Sequence, residues 1–297
     1  MKPIAAFALL SLLLSSAPVQ AAEPWEQAVA TAIGKPGAEM PGGVYRIGLP
    51  RSDLHVVLDG VTLKPALALG SWLAFVPHGQ GQVMVMGDLV LTDTEVNPVM
   101  AKLIAGGVEI TALHNHLLRN TPHTMYMHIA GHGDPAQLAK VLHDALALSG
   151  TPLSAPPAAS PAAPETIDLD TAALDRILGH KGKNGGGVYA FGIPRAEAPR
   201  DGGMVLPPAM GSAEAINFQP TGGGKAAITG DFVLTAAEVN PVLRALRENG
   251  IEVTALHNHM LDDEPRLFFM HFWANDDAQK LARGLAAALS HVAVAAG

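Results

Sequence analysis

The chain contains no cysteine, so it has no disulfide, no thiolate metal ligand and no cysteine nucleophile. Without a cysteine we also expect no bacterial lipoprotein anchor. Tyrosine and tryptophan number only three each, which argues against an aromatic platform for carbohydrate. The formal net charge is −8 and no basic block occurs, which argues against nucleic acid or an anionic membrane surface as a partner.

The sequence also has no hydrophobic run long enough to span a bilayer, and the longest run lies near the start. Lys2 precedes an apolar run from Ile4 to Leu14, and small residues then lead to Ala21. This pattern is typical of a cleaved signal peptide over residues 1–21, and the apolar run is too short to span a bilayer. The sequence therefore predicts a periplasmic or secreted protein without a stable membrane anchor.

The remaining residues contain two copies of one pattern, offset by about 143 positions. The copies share GDLVLT and GDFVLT at 87–92 and 230–235, EVNPV at 95–99 and 238–242, TALHNH at 111–116 and 254–259, and MH at 127–128 and 270–271. Matches of this length indicate a duplication. We predict a first repeat domain at 22–148, an extended Pro/Ala/Ser linker at 149–165 and a second repeat domain at 166–297.

Each copy predicts the same order of helices and strands. Thr92 and Glu95 have the spacing of a capping box, so a helix should begin there, and Pro98 should kink or interrupt it. Alternating β-branched residues after this helix predict a strand, a proline turn leads into another strand, and a helix closes the copy. The predicted fold class is α+β, with two tandem copies related by a pseudo-twofold axis, each a mostly antiparallel sheet with flanking helices.

Each copy carries a His-Asn-His motif followed by Met-His. Histidines at positions i and i+2 of a strand share a face, and a hairpin would place His128 opposite His114 and His271 opposite His257. Three imidazoles at such spacing can bind zinc, and copper or iron are also suited to imidazole. The predicted ligands are His114, His116 and His128 in the first copy and His257, His259 and His271 in the second.

The favoured interpretation is an exported metal-binding protein whose partner is a metal ion or a small molecule. A metal-dependent hydrolase is the first alternative, with Asp263 or Glu264 of an acidic turn as general base. The second alternative is a metal-free binding or structural module of the cell envelope. In that case the histidines would be core hydrogen-bonding groups, since Val253 and Ala255 are expected on the histidine face.

Other polar residues that recur in both copies are interpreted as structural. Asp88 and Asp231 follow a glycine, which favours a turn role. Arg51 and Arg195 are expected to be solvated at the surface. Glu252 should point away from the histidines and make a surface or interdomain hydrogen bond.

The shared motifs quoted above resemble the LppY/LpqO family of bacterial exported proteins. The resemblance covers nearly the whole chain after residue 21, in both copies. It implies secretion and duplication, and the family has no established activity that it could imply. Some members resemble lipoproteins, but this chain lacks the anchor cysteine, so that trait is not carried over.

Overall fold

The computed structural model describes residues 23–154 and 166–297. The predicted signal peptide at 1–21 therefore lies outside the described residues, as does the predicted linker beyond residue 154. Among the described residues, no helix is long and apolar enough to cross a membrane.

Both copies form an α+β unit with the same order of main helices and strands, as the sequence predicts. A short helix at Pro65–Ala68 in the first copy is replaced by a 3₁₀ turn at Pro208–Met210 in the second, and the described residues show a strand at Asp263–Glu264 in the second copy alone. The first copy contains α1 (Pro24–Ile33), β1 (Ala38–Met40), β2 (Val44–Pro50), β3 (Val57–Leu58), β4 (Val61–Thr62), α2 (Pro65–Ala68), β5 (Gly70–Pro77), β6 (Val83–Thr92), α3 (Asp93–Ala105), β7 (Glu109–His114), β8 (Thr124–Gly133) and α4 (Pro135–Leu146). The second copy contains α5 (Thr171–Leu178), β9 (Lys183–Gly185), β10 (Val188–Pro194), β11 (Arg200–Asp201), β12 (Met204–Val205), β13 (Ala213–Gly222), β14 (Lys225–Thr235), α6 (Ala236–Glu248), β15 (Glu252–His257), β16 (Asp263–Glu264), β17 (Leu267–Asp277) and α7 (Ala278–Leu289).

Each copy is built on a six-stranded antiparallel sheet. The strand order is β1-β2-β5-β6-β8-β7 in the first copy, and the second has the corresponding order β9-β10-β13-β14-β17-β15. One face of each sheet packs against the long helices of its own copy. Val99 of α3 and Leu142 of α4 cover this face in the first copy, and Val242 of α6 and Leu285 of α7 do so in the second.

The opposite faces of the two sheets pack against each other. Two apolar clusters cross the boundary: one joins Met84 and Met86 to Val233 and Phe269, and the other joins Tyr126 and its neighbours to Trp273. The molecule is therefore layered as helices, sheet, sheet and helices. Side chains on the inner sheet faces lie between the two repeats.

The predicted capping box is confirmed, but the predicted interruption of the helix is wrong. Helices α1 and α5 end at Gly34 and Gly179, whose φ angles of 85° and 72° suit glycine. Thr92 and Glu95 form the expected capping box. Helix α3 nevertheless continues through Pro98, because a proline in the second turn removes only one hydrogen bond near the helix start.

The expectation that Arg51 and Arg195 are solvated is also wrong. Arg51 is fully buried, and Arg195 has only 8% of its side chain exposed. Arg51 Nη1 lies 2.8 Å from Glu95 Oε2, and Arg195 Nη1 lies 3.0 Å from Glu238 Oε2. The glutamate that caps each helix therefore also pairs with a buried arginine and ties that helix to the sheet.

These ion pairs predict a loss of stability in acid. Burial alone would raise the pKa of Glu95, but hydrogen bonds from Arg51 and from backbone N–H groups outweigh it, so the pKa lies below the ordinary 4.5. The pKa of Glu238 is lowered in the same way. A depressed folded-state pKa contributes stability that is present above the unfolded value and lost as the pH falls through the folded value.

We therefore expect the melting temperature to fall as the pH is lowered below about 4.5. The measurement is thermal unfolding by circular dichroism between neutral pH and strong acid. Glu95→Gln should have a lower melting temperature than the wild type at neutral pH, and its melting temperature should fall less on acidification. Parallel pH profiles for the two proteins would contradict this origin of the acid sensitivity.

Candidate metal centre

A β-bulge in each copy turns the His-Asn-His motif toward the other repeat. The register of β15 against β17 shifts between Val253 and Ala255, and β7 has the same shift against β8. Val253 therefore packs into the helix-side core, while Ala255 and His257 face the sheet of the first repeat. The expectation that Val253 shares the histidine face is wrong, because an extra residue inverts the alternation.

The predicted cross-strand register is wrong by two residues, but the shared face is right. Ala255, rather than His257, lies opposite His271, and Ala112, rather than His114, lies opposite His128. A shift of two residues keeps every side chain on its original face, whereas a shift of one would not. The three histidines of each copy accordingly lie on the same inner face.

The two histidine sets meet each other and form one cluster between the repeats. Ring centroids are 3.4 Å apart for His114 and His257, and 3.6 Å apart for His116 with His271 and for His128 with His259. These contacts are reciprocal, as a pseudo-twofold axis requires. We call the six histidines together with Asp88 and Asp231 the interdomain centre.

The interdomain centre contains buried nitrogen atoms that no described residue satisfies with a hydrogen bond. The Nε2 atoms of all six histidines are buried and have no hydrogen-bond partner among the described residues. The Oδ1 atoms of Asp88 and Asp231 share this property. An unsatisfied buried polar atom costs about 1–3 kcal/mol, so this concentration requires a ligand or another compensating contact.

Three overlapping groups within the centre have the spacing of metal ligands. In each group the ligand atoms lie within 4.8 Å of one another: His114 with His257 and His271, His114 with His116 and His128, and Asp231 with His259 and His271. Zinc bonds of about 2.1 Å place tetrahedral ligands about 3.4 Å apart, so small side-chain movements would close such a shell. Two groups share His114 and two share His271, and one group combines both repeats.

Backbone carbonyls select the ring tautomer that metal binding needs. The Nδ1 atoms of His114 and His271 lie 3.1 Å from Asn115 O and 2.9 Å from Gly230 O. A carbonyl oxygen only accepts, so Nδ1 carries the hydrogen and donates. The lone pair is then on Nε2, the nitrogen that is buried without a hydrogen-bond partner among the described residues.

Asp88 and Asp231 are members of the centre that sequence reasoning missed. Oδ2 of Asp88 lies 3.8 Å from His116 Nε2, and Oδ2 of Asp231 lies 3.9 Å from His259 Nε2. Both aspartates lie within long strands, so the expected turn role is wrong. The preceding glycine serves a close strand contact: a Cβ atom at Gly87 would lie 2.8 Å from Trp72 O. The sequence did contain a signal for these two site residues: each is a lone charged residue inside a long apolar run, and the pattern is repeated in both copies.

Burial keeps the histidines neutral, as metal ligands must be. Burial lowers the pKa of His114 to about 4. Burial and the neighbouring His114 lower the pKa of His257 to about 3. Burial also lowers the pKa values of the other four histidines well below the ordinary range. Burial raises the pKa of Asp88 to about 8 against the opposing charge of Arg46. Burial and the neighbouring Asp88 raise the pKa of Asp231, as expected for carboxyl groups without a nearby cation in contact.

The remaining residues singled out from the sequence lie outside this cluster. Asp263 Oδ2 accepts a hydrogen bond from Leu267 N–H, and Asp263 with Glu264 forms β16, which pairs with β11. Neither belongs to a described group of converging ligand atoms. Glu252 forms an ion pair of 2.9 Å with Arg119, which confirms an interdomain role.

A cavity of about 770 Å³ opens between the repeats beside the interdomain centre. Asp88, His116 and His128 line it from the first repeat, and Asp231, His259 and His271 line it from the second. A small molecule could therefore approach atoms of the centre without disturbing the packing of the sheets.

Fold and site together define a tandem-repeat α+β protein with a histidine-rich centre between its repeats. The chain belongs to the family described as Domain of Unknown Function (DUF1259), whose model matches residues 27–148 and 172–291. No curated protein matches the chain.

Two solved structures show weak similarity. One is a trimeric bacterial microcompartment shell protein, PduB, at 14% identity and a TM-score of 0.21, covering 85% of this chain and 88% of that chain. The other is EtuB from Clostridium kluyveri, at 10% identity and a TM-score of 0.20, covering 86% of this chain and 90% of that chain. Scores this low carry no argument about fold or function.

Proposed function

We propose that this protein is exported and binds a divalent transition-metal ion at the interdomain centre. The observation that carries the proposal is the set of eight buried, unpartnered ligand atoms, six imidazole Nε2 and two carboxylate Oδ1. A cation bound by one of the three converging groups would satisfy the ligand atoms of that group. Core histidines in a metal-free module would instead place Nε2 against donors or acceptors of the protein.

The donor set favours zinc, with copper and iron as the alternatives to be separated by experiment. Neutral imidazole nitrogen with one or two carboxylates is a common zinc environment, and imidazole also suits copper and iron. Magnesium and calcium prefer shells made entirely of oxygen, so this nitrogen-rich centre disfavours them. Export and the LppY/LpqO relationship are parts of the proposal that rest on the sequence motifs.

The direct test is elemental analysis of protein purified without a histidine tag. We expect stoichiometric zinc, copper or iron that survives dialysis and is removed by a strong chelator. Export is tested separately by fractionating the native host and sequencing the mature N terminus, which should begin near Ala22. Absence of metal from the native protein, together with no uptake by the apo form, would exclude the metal proposal.

Metal addition should also stabilise the apo protein. A ligand present at about 1,000 times its Kd adds about 4 kcal/mol to the free energy of unfolding, since it binds only the folded state. For a chain of this size that corresponds to a rise in Tm of roughly 10 °C. Differential scanning calorimetry of apo protein with and without zinc measures the effect, and magnesium serves as the control. Equal shifts from both cations would argue against a specific site.

The cavity favours a second candidate function, a metal-dependent hydrolase. Its lining includes atoms of the centre, so a water on the metal could meet a substrate there. The acidic groups lining the cavity are Asp88, Asp231 and Glu214, whereas Asp263 and Glu264 are not among its lining residues. Metal-dependent hydrolysis of a nitrophenyl ester, abolished by a chelator and by His257→Ala, would support this function. If the fully metal-loaded protein shows no turnover, only the metal-binding function remains supported.

A further inference from the structure

The cavity beside the interdomain centre is formed by a difference between the two repeats. Trp72 lies opposite Asp88 in the first sheet, whereas Ala215 lies opposite Asp231 in the second. Arg46 follows Tyr45 in the first copy, and at the matching place Ala190 follows Tyr189. One wall therefore carries a guanidinium and an indole, and the other carries small residues that leave space: Ala190, Gly192, Ala213 and Ala215.

Arg46 is held in place but keeps most of its hydrogen-bonding capacity. Its guanidinium carbon lies 4.1 Å above the Trp72 ring centroid, and Nη1 donates to Ala209 O at 2.6 Å. A guanidinium has five N–H donors, and this is the one hydrogen bond that the described residues show for it. Burial lowers the pKa of Arg46 to about 10 against the opposing effect of Asp88, so the group is cationic at neutral pH.

The other charged groups around the cavity leave Arg46 available for an anion. Glu214 faces the cavity from the second repeat, but its Oε2 accepts Val233 N–H at 2.7 Å and Arg195 Nη1 lies 3.9 Å from its Oε1. Asp88 and Asp231 belong to the interdomain centre, and among the described residues neither forms a hydrogen bond or an ion pair with Arg46. Exposed Lys181 and Lys183 add positive charge to the lining.

We propose that the cavity binds a small organic acid, with its carboxylate on Arg46 and its apolar body against the alanine and glycine wall. A planar guanidinium matches a carboxylate with two parallel hydrogen bonds, and the half-buried Arg46 balances one negative charge. The carboxylate contact is independent of the metal. Only the placement of the acid beside a metal ion rests on the proposed function. The bound acid would be the molecule on which that metal acts or which completes its coordination.

The test is isothermal titration of the full chain, zinc-loaded and metal-free, with benzoate and hexanoate. We expect both acids to bind and benzamide and hexanamide to bind at least about tenfold more weakly, because a neutral amide lacks the charge that strengthens a hydrogen bond to the guanidinium. Arg46→Gln should reduce benzoate affinity by a similar factor. Equal affinity for acid and amide, stronger binding of phenyl phosphate, or no binding of either acid would overturn the proposal.

A pair of glycine variants separates cavity binding from general effects on the fold. A Cβ at Gly192 or at its counterpart Gly48 meets no atom within 4 Å, but only Gly192 lines the cavity. Gly192→Leu should therefore abolish benzoate binding, and Gly48→Leu should not change it. Loss of binding in neither variant would contradict the assigned location. Benzoate binding without zinc uptake would refute the proposed metal function alone, and zinc uptake without benzoate binding would refute this inference alone.

Discussion

Replacing His257 by alanine is expected to lower the zinc affinity of the interdomain centre by at least about 100-fold. His257 stacks on His114 at 3.4 Å and belongs to a ligand group that combines both repeats. We expect the ion to be held by this group, so the variant removes one of its three ligands. The measurement is competitive zinc titration against a chelating dye, combined with elemental analysis of the dialysed protein.

The matched variants decide whether the centre is one unit or two. His114→Ala, in the other repeat, should have the same effect as His257→Ala, and the double variant should be little worse than either single one. His123→Ala is the control, since His123 is 45% exposed and pairs with Asp93 away from the cluster. Two independent sites, one in each repeat, would instead leave half of the zinc bound after either single replacement.

The sequence predicts the six histidines of the centre because strand periodicity is a local property. His257 and His259 share a face through their spacing, and His271 joins them because any even register keeps that face. The duplication is also evident from the sequence alone, since the two copies share matching motifs. The α+β class and the capped helices follow from the same short-range patterns, and the structure agrees with them.

The contact between the two histidine sets could not be predicted in this way. It depends on the packing of one sheet against the other, which no local pattern specifies. It also depends on the bulges before Ala112 and Ala255, which reverse the alternation of side chains between the two faces of the strand. No glycine or proline at these positions indicates the bulges in the sequence. One site in each repeat was therefore the natural prediction, whereas the structure brings both sets to one place.

Burial of charged residues was the other feature that local reasoning missed. Asp88 and Arg51 were assigned to a turn and to the surface, because isolated charges usually lie there. Both are buried, since their partners come from distant parts of the chain: Asp88 meets His116 and His128, and Arg51 meets Glu95. The cavity likewise depends on Arg46 and Trp72 facing small residues of the other repeat.

Replacing Arg51 by alanine is expected to destabilise the protein by about 3–5 kcal/mol, the usual cost of removing one partner from a buried ion pair. All five guanidinium N–H donors of Arg51 are used, by Asp53, Glu95 and the carbonyl oxygen of Val90. Removing the side chain leaves both carboxylates without their cation. It also loosens the start of α3, because Glu95 caps that helix. Equilibrium urea unfolding measures the change.

Two controls test whether the directed N–H donors of Arg51, rather than its charge alone, stabilise the protein. Arg51→Lys keeps the charge but cannot reproduce the five directed donors, so it should recover only part of the lost stability. Arg119→Ala removes an exposed arginine that pairs with Asp59 and Glu252 and should change stability little. If Arg119→Ala and Arg51→Ala were equally destabilising, burial would not be the source of the effect. If Arg51→Lys matched the wild type, the requirement for five directed donors would be wrong.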